Sequence, residues 1–212
     1  MAKPSSFVFL FLLHCLMLSL AWTNANITID KYALLALKSS ITSDPYNFLA
    51  NWSVSSPCNW IGVTYNTTHH GRIHSLNLVG MNLKGTISPQ LGNLSFLVEL
   101  DLSNKNLNGQ IPVELVRLHQ LRLFILSYND FHGQVRTWIG DLYMLEHLGF
   151  QNHSFYGFIP LSLSNLSRLE TLDWTFNFIQ GTIPLEVGKL NCLKILQLVG
   201  EQTFRNHSPN NL

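Results

Sequence analysis

Apolar residues recur along the chain in triplets spaced three and then two apart: Leu97, Leu100 and Leu102; Leu121, Phe124 and Leu126; Leu145, Leu148 and Phe150; Leu169, Leu172 and Trp174. Ile73, Leu76 and Leu78 open the series, and successive triplets begin 24 residues apart. Residues two apart point to one side of a strand, so each triplet turns an apolar edge inward and leaves the positions between facing out. A glycine follows in fixed register at Gly85, Gly109, Gly133, Gly157 and Gly181, then Ile87, Ile111, Val135, Ile159 or Ile183, and in three units a proline, Pro112, Pro160 or Pro184. A second apolar pair, such as Leu91 with Leu94 or Val187 with Leu190, brings the chain back inward.

This spacing predicts one coil per unit, with stacking between coils closing the apolar interior. The glycine suits a positive φ or a close backbone approach, and the proline, lacking a donor, stays out of the strand ladder. Five amphipathic helices are excluded, because glycine or proline in a helix interior costs about 1 to 3 kcal/mol apiece. The expected fold is therefore α/β, a short curved right-handed coil stack with a parallel strand ladder. At about 4.8 Å per strand the ladder is roughly 20 to 25 Å long.

The repeats are expected over 73–192, with an incomplete sixth unit and a disordered tail over 193–212. Residues 26–72 read as a cap: Asp30 is expected to N-cap a helix with Leu34, Leu37 and Ile41 on one face, ending before Asp44-Pro45. Trp52 and Trp60 would cover the first coil, because terminal coils otherwise leave apolar edges in water. Residues 1–25 read as a secretory signal peptide, with Lys3 ahead of an apolar run from Phe7 to Leu20 and a cut after Ala25 or Ala21. Seven N-x-S/T triplets, at Asn26, Asn51, Asn66, Asn93, Asn152, Asn165 and Asn206, agree with export and glycosylation.

Charge narrows the partners. With 12% charged residues, a net charge of +1 and no Lys/Arg stripe, the chain is not expected to bind nucleic acid. Among nine histidines only His69, His70 and His74 cluster, without cysteine or carboxylate at ligand spacing, so no metal or cofactor is expected. Asp101 and Asp173 project three coils apart, about 14 Å, wider than a glycosidase carboxylate pair. No phosphate loop or kinase signature occurs, and the chain does not read as an enzyme.

The unit LVELDLSNKNLNGQIPVELVRLHQ from Leu97 to Gln120 resembles the plant-specific leucine-rich repeat. The preceding ALLALKSSITSDP and CNWIGVT resemble the N-terminal cap of plant leucine-rich-repeat receptor kinases, most similarly the immune receptors that perceive bacterial ligands. The resemblance implies a helical N-terminal cap, extracellular recognition of a peptide or protein ligand, and a leucine-rich-repeat co-receptor as a further partner. It implies residence in the apoplast, or at the cell surface if a transmembrane helix follows, and kinase activity only in longer relatives. Family caps close with a cysteine pair, but here Cys58 meets Tyr65 in the partner position, and Cys192 lies roughly 20 Å or more along the ladder. Cys58 is therefore expected to be unpaired. The family's inter-coil asparagine is present at Asn129 and Asn177 and replaced by Met81, Lys105 and His153. The chain looks truncated after the start of the sixth unit.

Recognition then falls to the outward strand positions. The candidates are Glu99 and Asp101; Arg122, Leu123 and Ile125; Glu146 and His147; Glu170 and Asp173; and, just beyond the strands, Tyr128 and Phe176. Leu123, Ile125, Tyr128 and Phe176 would form an apolar group framed by charge, as a peptide-binding patch does. Two alternatives stand beside the receptor reading: a secreted inhibitor of microbial wall-degrading hydrolases, which uses the same repeat, and an inactive truncated product.

Overall fold

The computed structural model describes residues 27–53, 59–66, 71–103 and 106–198. The expected signal peptide, Asn26, Cys58, His69, His70, Lys105, Asn206 and the tail from 199 onward lie outside the described residues.

A helix over 27–40, α1, opens the described chain. Strands then alternate between two ladders. The first contains β2 (Val63–Asn66), β3 (Arg72–Asn77), β5 (Glu99–Asp101), β7 (Leu123–Ile125), β9 (His147–Gly149), β11 (Thr171–Asp173) and β13 (Ile195–Gln197), in that spatial order. From β3 onward its pairing is parallel, with Leu76, Leu100, Phe124, Leu148, Leu172 and Leu196 in one row. The second ladder runs β1 (Ile41–Ser43), β4 (Lys84–Thr86), β6 (Leu107–Gly109), β8 (Asp130–Gly133), β10 (Ser154–Phe158) and β12 (Phe178–Gln180). The fold is the stack of coils that the periodicity predicts and the solenoid that the resemblance implies, with a second sheet that the triplets do not reveal.

The sequence dictates each corner of a coil. Gly85, Gly109, Gly133, Gly157 and Gly181 all have positive φ, from 78° to 144°, where a β-carbon is strained. Pro112, Pro160 and Pro184 hold extended φ near −60° immediately before 3-10 turns at Val113–Arg117, Leu161–Asn165 and Leu185–Lys189. Those turns bury Leu115, Leu163 and Val187, which meet the strand leucines in one continuous core.

Asn129 and Asn177 stitch neighbouring coils from inside that core. Asn129 Nδ2 donates to the carbonyls of Leu102 and Leu126, while its Oδ1 accepts from the Leu107 amide. Asn177 repeats the arrangement with Phe150, Trp174 and the amide of Phe155. Each amide side chain thereby satisfies backbone groups where the coil turns out of the strand. His153 stands in the same column between them and packs against Phe131 and Phe155.

The cap differs from expectation at Asp30, which lies inside α1 rather than at its start. Its carboxylate is buried and takes two hydrogen bonds from Arg72, at 2.8 and 2.7 Å, and a third from the Ile73 amide at 3.0 Å. Arg72 also donates to Ser95 Oγ, with its guanidinium over the Phe96 ring. A buried guanidinium fork outcompetes helix capping for a carboxylate, because leaving that cation unpaired would cost more. Trp52 and Trp60 stack at 5.2 Å with both rings buried, and Trp52 Nε1 donates to the Ile61 carbonyl. Tyr65 sits in β2 opposite Ile73.

At the other end the stack is open among the described residues. Leu196 is 40% exposed, whereas its row neighbours Leu172 and Leu148 are fully buried.

Candidate recognition surface

Because the core leucines consume the inward positions, the first ladder presents the residues between them on its outer face. Phe96, Val98, Glu99, Arg122, Leu123, Glu146 and His147 line one open cavity of about 730 Å³, joined by Asn66, His74 and Gln120. Five of the sequence candidates, Glu99, Arg122, Leu123, Glu146 and His147, are thus brought together.

The electrostatics of this cavity are mixed and loosely paired. Arg122 Nη1 is 3.5 Å from Glu146 Oε1, with both side chains partly in water. An exposed pair of that length contributes little and leaves both groups ready to exchange partners. His147 Nδ1 is 3.3 Å from Thr171 Oγ1. Above it, Lys194 pairs with Glu170 at 2.7 Å, and this hydrogen bond holds the Glu170 carboxyl below its ordinary pKa.

Other candidates have different surroundings. Asp101 Oδ1 accepts from the Ser103 amide and hydroxyl, and Asp173 Oδ1 does the same for Thr175. Both carboxylates fasten the turn that leaves the strand, a local use of Asp that competes with outside partners. Ile125 lies over Gly149, where a β-carbon would come within 2.8 Å of its Cδ1. Tyr128 and Phe176 stand apart, in a separate cleft of about 360 Å³ with Asn129, Asp130 and Asn152. The apolar group inferred from sequence is therefore divided: Leu123 lines the cavity, Ile125 packs over Gly149, and Tyr128 and Phe176 line the cleft.

Sequence reasoning missed two features. Phe96 precedes the strand and lines the cavity beside Val98; its apolarity just ahead of the outward positions was the available signal. The second ladder exposes Tyr156, Phe158 and Phe178, with Tyr156 and Phe178 in register on β10 and β12.

Of the expected glycan acceptors, Asn51, Asn93, Asn152 and Asn165 are exposed and Asn66 is half-buried. Among the described residues, no group of three His, Cys, Asp or Glu side chains could hold a metal ion, and no helix is long and apolar enough to cross a membrane.

Residues 28–64 match the family model described as Leucine rich repeat N-terminal domain. The LRR receptor-like serine/threonine-protein kinase EFR of Arabidopsis thaliana is 50% identical over 76 residues, covering 35% of this chain and 7% of that protein. The chain thus spans only a small part of the curated relatives it matches. Among solved structures, the BIR2 ectodomain from Arabidopsis thaliana superposes with a TM-score of 0.70 at 31% identity, covering 74% of this chain and 84% of that one. The ectodomain of the Arabidopsis thaliana receptor kinase GASSHO1/SCHENGEN3, in complex with CASPARIAN STRIP INTEGRITY FACTOR 2, gives a TM-score of 0.75 at 30% identity. That match covers 84% of this chain and 21% of that one.

Proposed function

Since the chain belongs to the leucine-rich-repeat ectodomains of plant receptor kinases, we propose that it is an extracellular recognition module that binds a peptide or protein ligand on the outer face of its first ladder. The observation that carries this reading is the 730 Å³ cavity, in which several successive coils place Glu99, Arg122, Leu123, Glu146 and His147 around one space. A cavity lined by apolar Phe96, Val98 and Leu123 and by loosely paired charges of both signs suits an extended peptide carrying both apolar and charged side chains. The GASSHO1/SCHENGEN3 ectodomain was solved with its factor bound, which supports the same use of this scaffold. The module acts in defence or signalling, as part of a receptor or as a shortened form of one, with a leucine-rich-repeat co-receptor as a second partner.

The chemistry is binding rather than catalysis. Arg122 supplies a planar fork for a carboxylate, Glu99 and Glu146 accept from ammonium or guanidinium groups, and Leu123 and Val98 take apolar side chains. Affinity of this short face for a flexible peptide is limited by the cost of ordering it. The test is a photo-crosslinker at position 147 of the secreted chain. It should capture an extracellular peptide or protein, and the same probe at position 165 should not; equal capture at both positions would refute the assignment.

A further inference from the structure

Two bulky aromatic residues occupy a backbone conformation that such side chains rarely adopt. Tyr128 has φ 61° and Phe176 φ 56°, with Asn152 between them at φ 60°. The equivalent turn of the first coil holds Gly80 at φ 71°. Glycine and asparagine enter the left-handed region readily, whereas tyrosine and phenylalanine do so at a cost. Burial does not offset that cost, because Tyr128 is 43% exposed and Phe176 50% exposed.

The turn is fixed by the stack: the Tyr128 amide donates to the Gln151 carbonyl of the next coil, and the Asn152 amide to that of Thr175. Tyr128 and Phe176 are therefore two coils apart, roughly 10 Å at ordinary strand spacing. Asn152 lies between them, and all three line the 360 Å³ cleft. Strain kept at two exposed positions around one exposed asparagine points to something that covers both rings.

Asn152 opens the triplet Asn152-His153-Ser154, an N-linked glycan acceptor. We propose that Asn152 carries an N-linked glycan whose innermost sugars dock in the cleft between Tyr128 and Phe176. A pyranose has an apolar C–H face that stacks on an aromatic ring, and hydroxyls at its rim that donate to the Asp130 carboxylate lining the same cleft. Attachment through Asn152 makes these weak contacts intramolecular, at high effective concentration. The two rings then form a sugar platform that stiffens one edge of the solenoid, leaving the first-ladder cavity as the ligand site. This inference rests on export through the secretory pathway, as in the reading above.

The full chain is secreted from plant cells, and glycopeptide mass spectrometry measures occupancy at each acceptor. Endoglycosidase release from the folded protein is then timed at Asn152 and Asn165. The glycan on Asn152 should leave about tenfold more slowly, the protection given by a modest closing equilibrium. Tyr128→Asn combined with Phe176→Asn, both compatible with a left-handed turn, should bring its release to the Asn165 rate. Occupied Asn152 with equal release rates in the parent overturns the proposal, as does slow release that persists in the double variant. Asn152 unoccupied beside occupied neighbours overturns it while leaving export intact; no occupied acceptor anywhere in a chain recovered only from inside the cell refutes export as well. Rings shielded only after a peptide or protein partner is added would return them to the ligand face and overturn the sugar platform.

Discussion

His153 Nδ1 lies 2.8 Å from the backbone carbonyl oxygen of Asn129, one coil earlier in the column that also holds Asn177. A carbonyl only accepts, so Nδ1 holds the proton of the neutral ring, and Nε2 is buried without a hydrogen-bond partner. Burial lowers the pKa of His153 from 6.5 to about 4, against the opposing hydrogen bond to Asn129. Between those values the unfolded chain binds more protons than the folded one. The stability linked to this group is therefore complete above about pH 6.5 and is lost as pH falls toward 4, by at most about 3 kcal/mol.

His153→Asn is predicted to restore the inter-coil hydrogen bonds made by Asn129 and Asn177. It should raise stability by about 1 kcal/mol at neutral pH and remove most of the loss between pH 6.5 and 4. Urea denaturation of both proteins across that range checks this; parallel pH profiles would show that His153 is not the titrating group.

Asp30 and Arg72 join α1 to β3 through a fully buried fork. Asp30→Ala leaves the guanidinium unpaired and should cost about 3 to 5 kcal/mol, whereas replacing both with apolar residues of similar volume should cost much less. A double-mutant cycle by chemical denaturation decides the point, and a loss below 1 kcal/mol for Asp30→Ala would mean that water reaches the pair.

The row of strand leucines makes a graded prediction. Leu172→Ala empties a site enclosed on both sides and should cost about 2 to 5 kcal/mol. Leu196, open on one side, should cost less than half as much on the same substitution. Equal losses would imply that something covers Leu196 in solution.

The coils were legible because stacking imposes the same demand every 24 residues. A leucine at Leu100 or Leu148 is fixed by enclosure, and Gly109 or Gly157 by a positive φ, so both leave a periodic mark. The Asp30–Arg72 pair is 42 residues apart in sequence and leaves none, which is why Asp30 reads locally as a helix cap. The second ladder was hidden because its strands sit where the repeat looks like turn. Tyr128 and Phe176 lie with Asn152 in left-handed turns beyond their strands and line a different space from Leu123, a separation that residue spacing alone does not reveal.

Recognition on the outer face of the first ladder is tested by panning a random peptide library on the folded chain and measuring the selected peptides against two charge reversals. Arg122→Glu alters the cavity, and Arg117→Glu alters a 3-10 turn outside it. Arg122→Glu is expected to weaken binding at least about tenfold, the scale of one lost charged contact, and Arg117→Glu to leave it unchanged. Peptides that lose affinity on Arg117→Glu and keep it on Arg122→Glu would contradict the assignment.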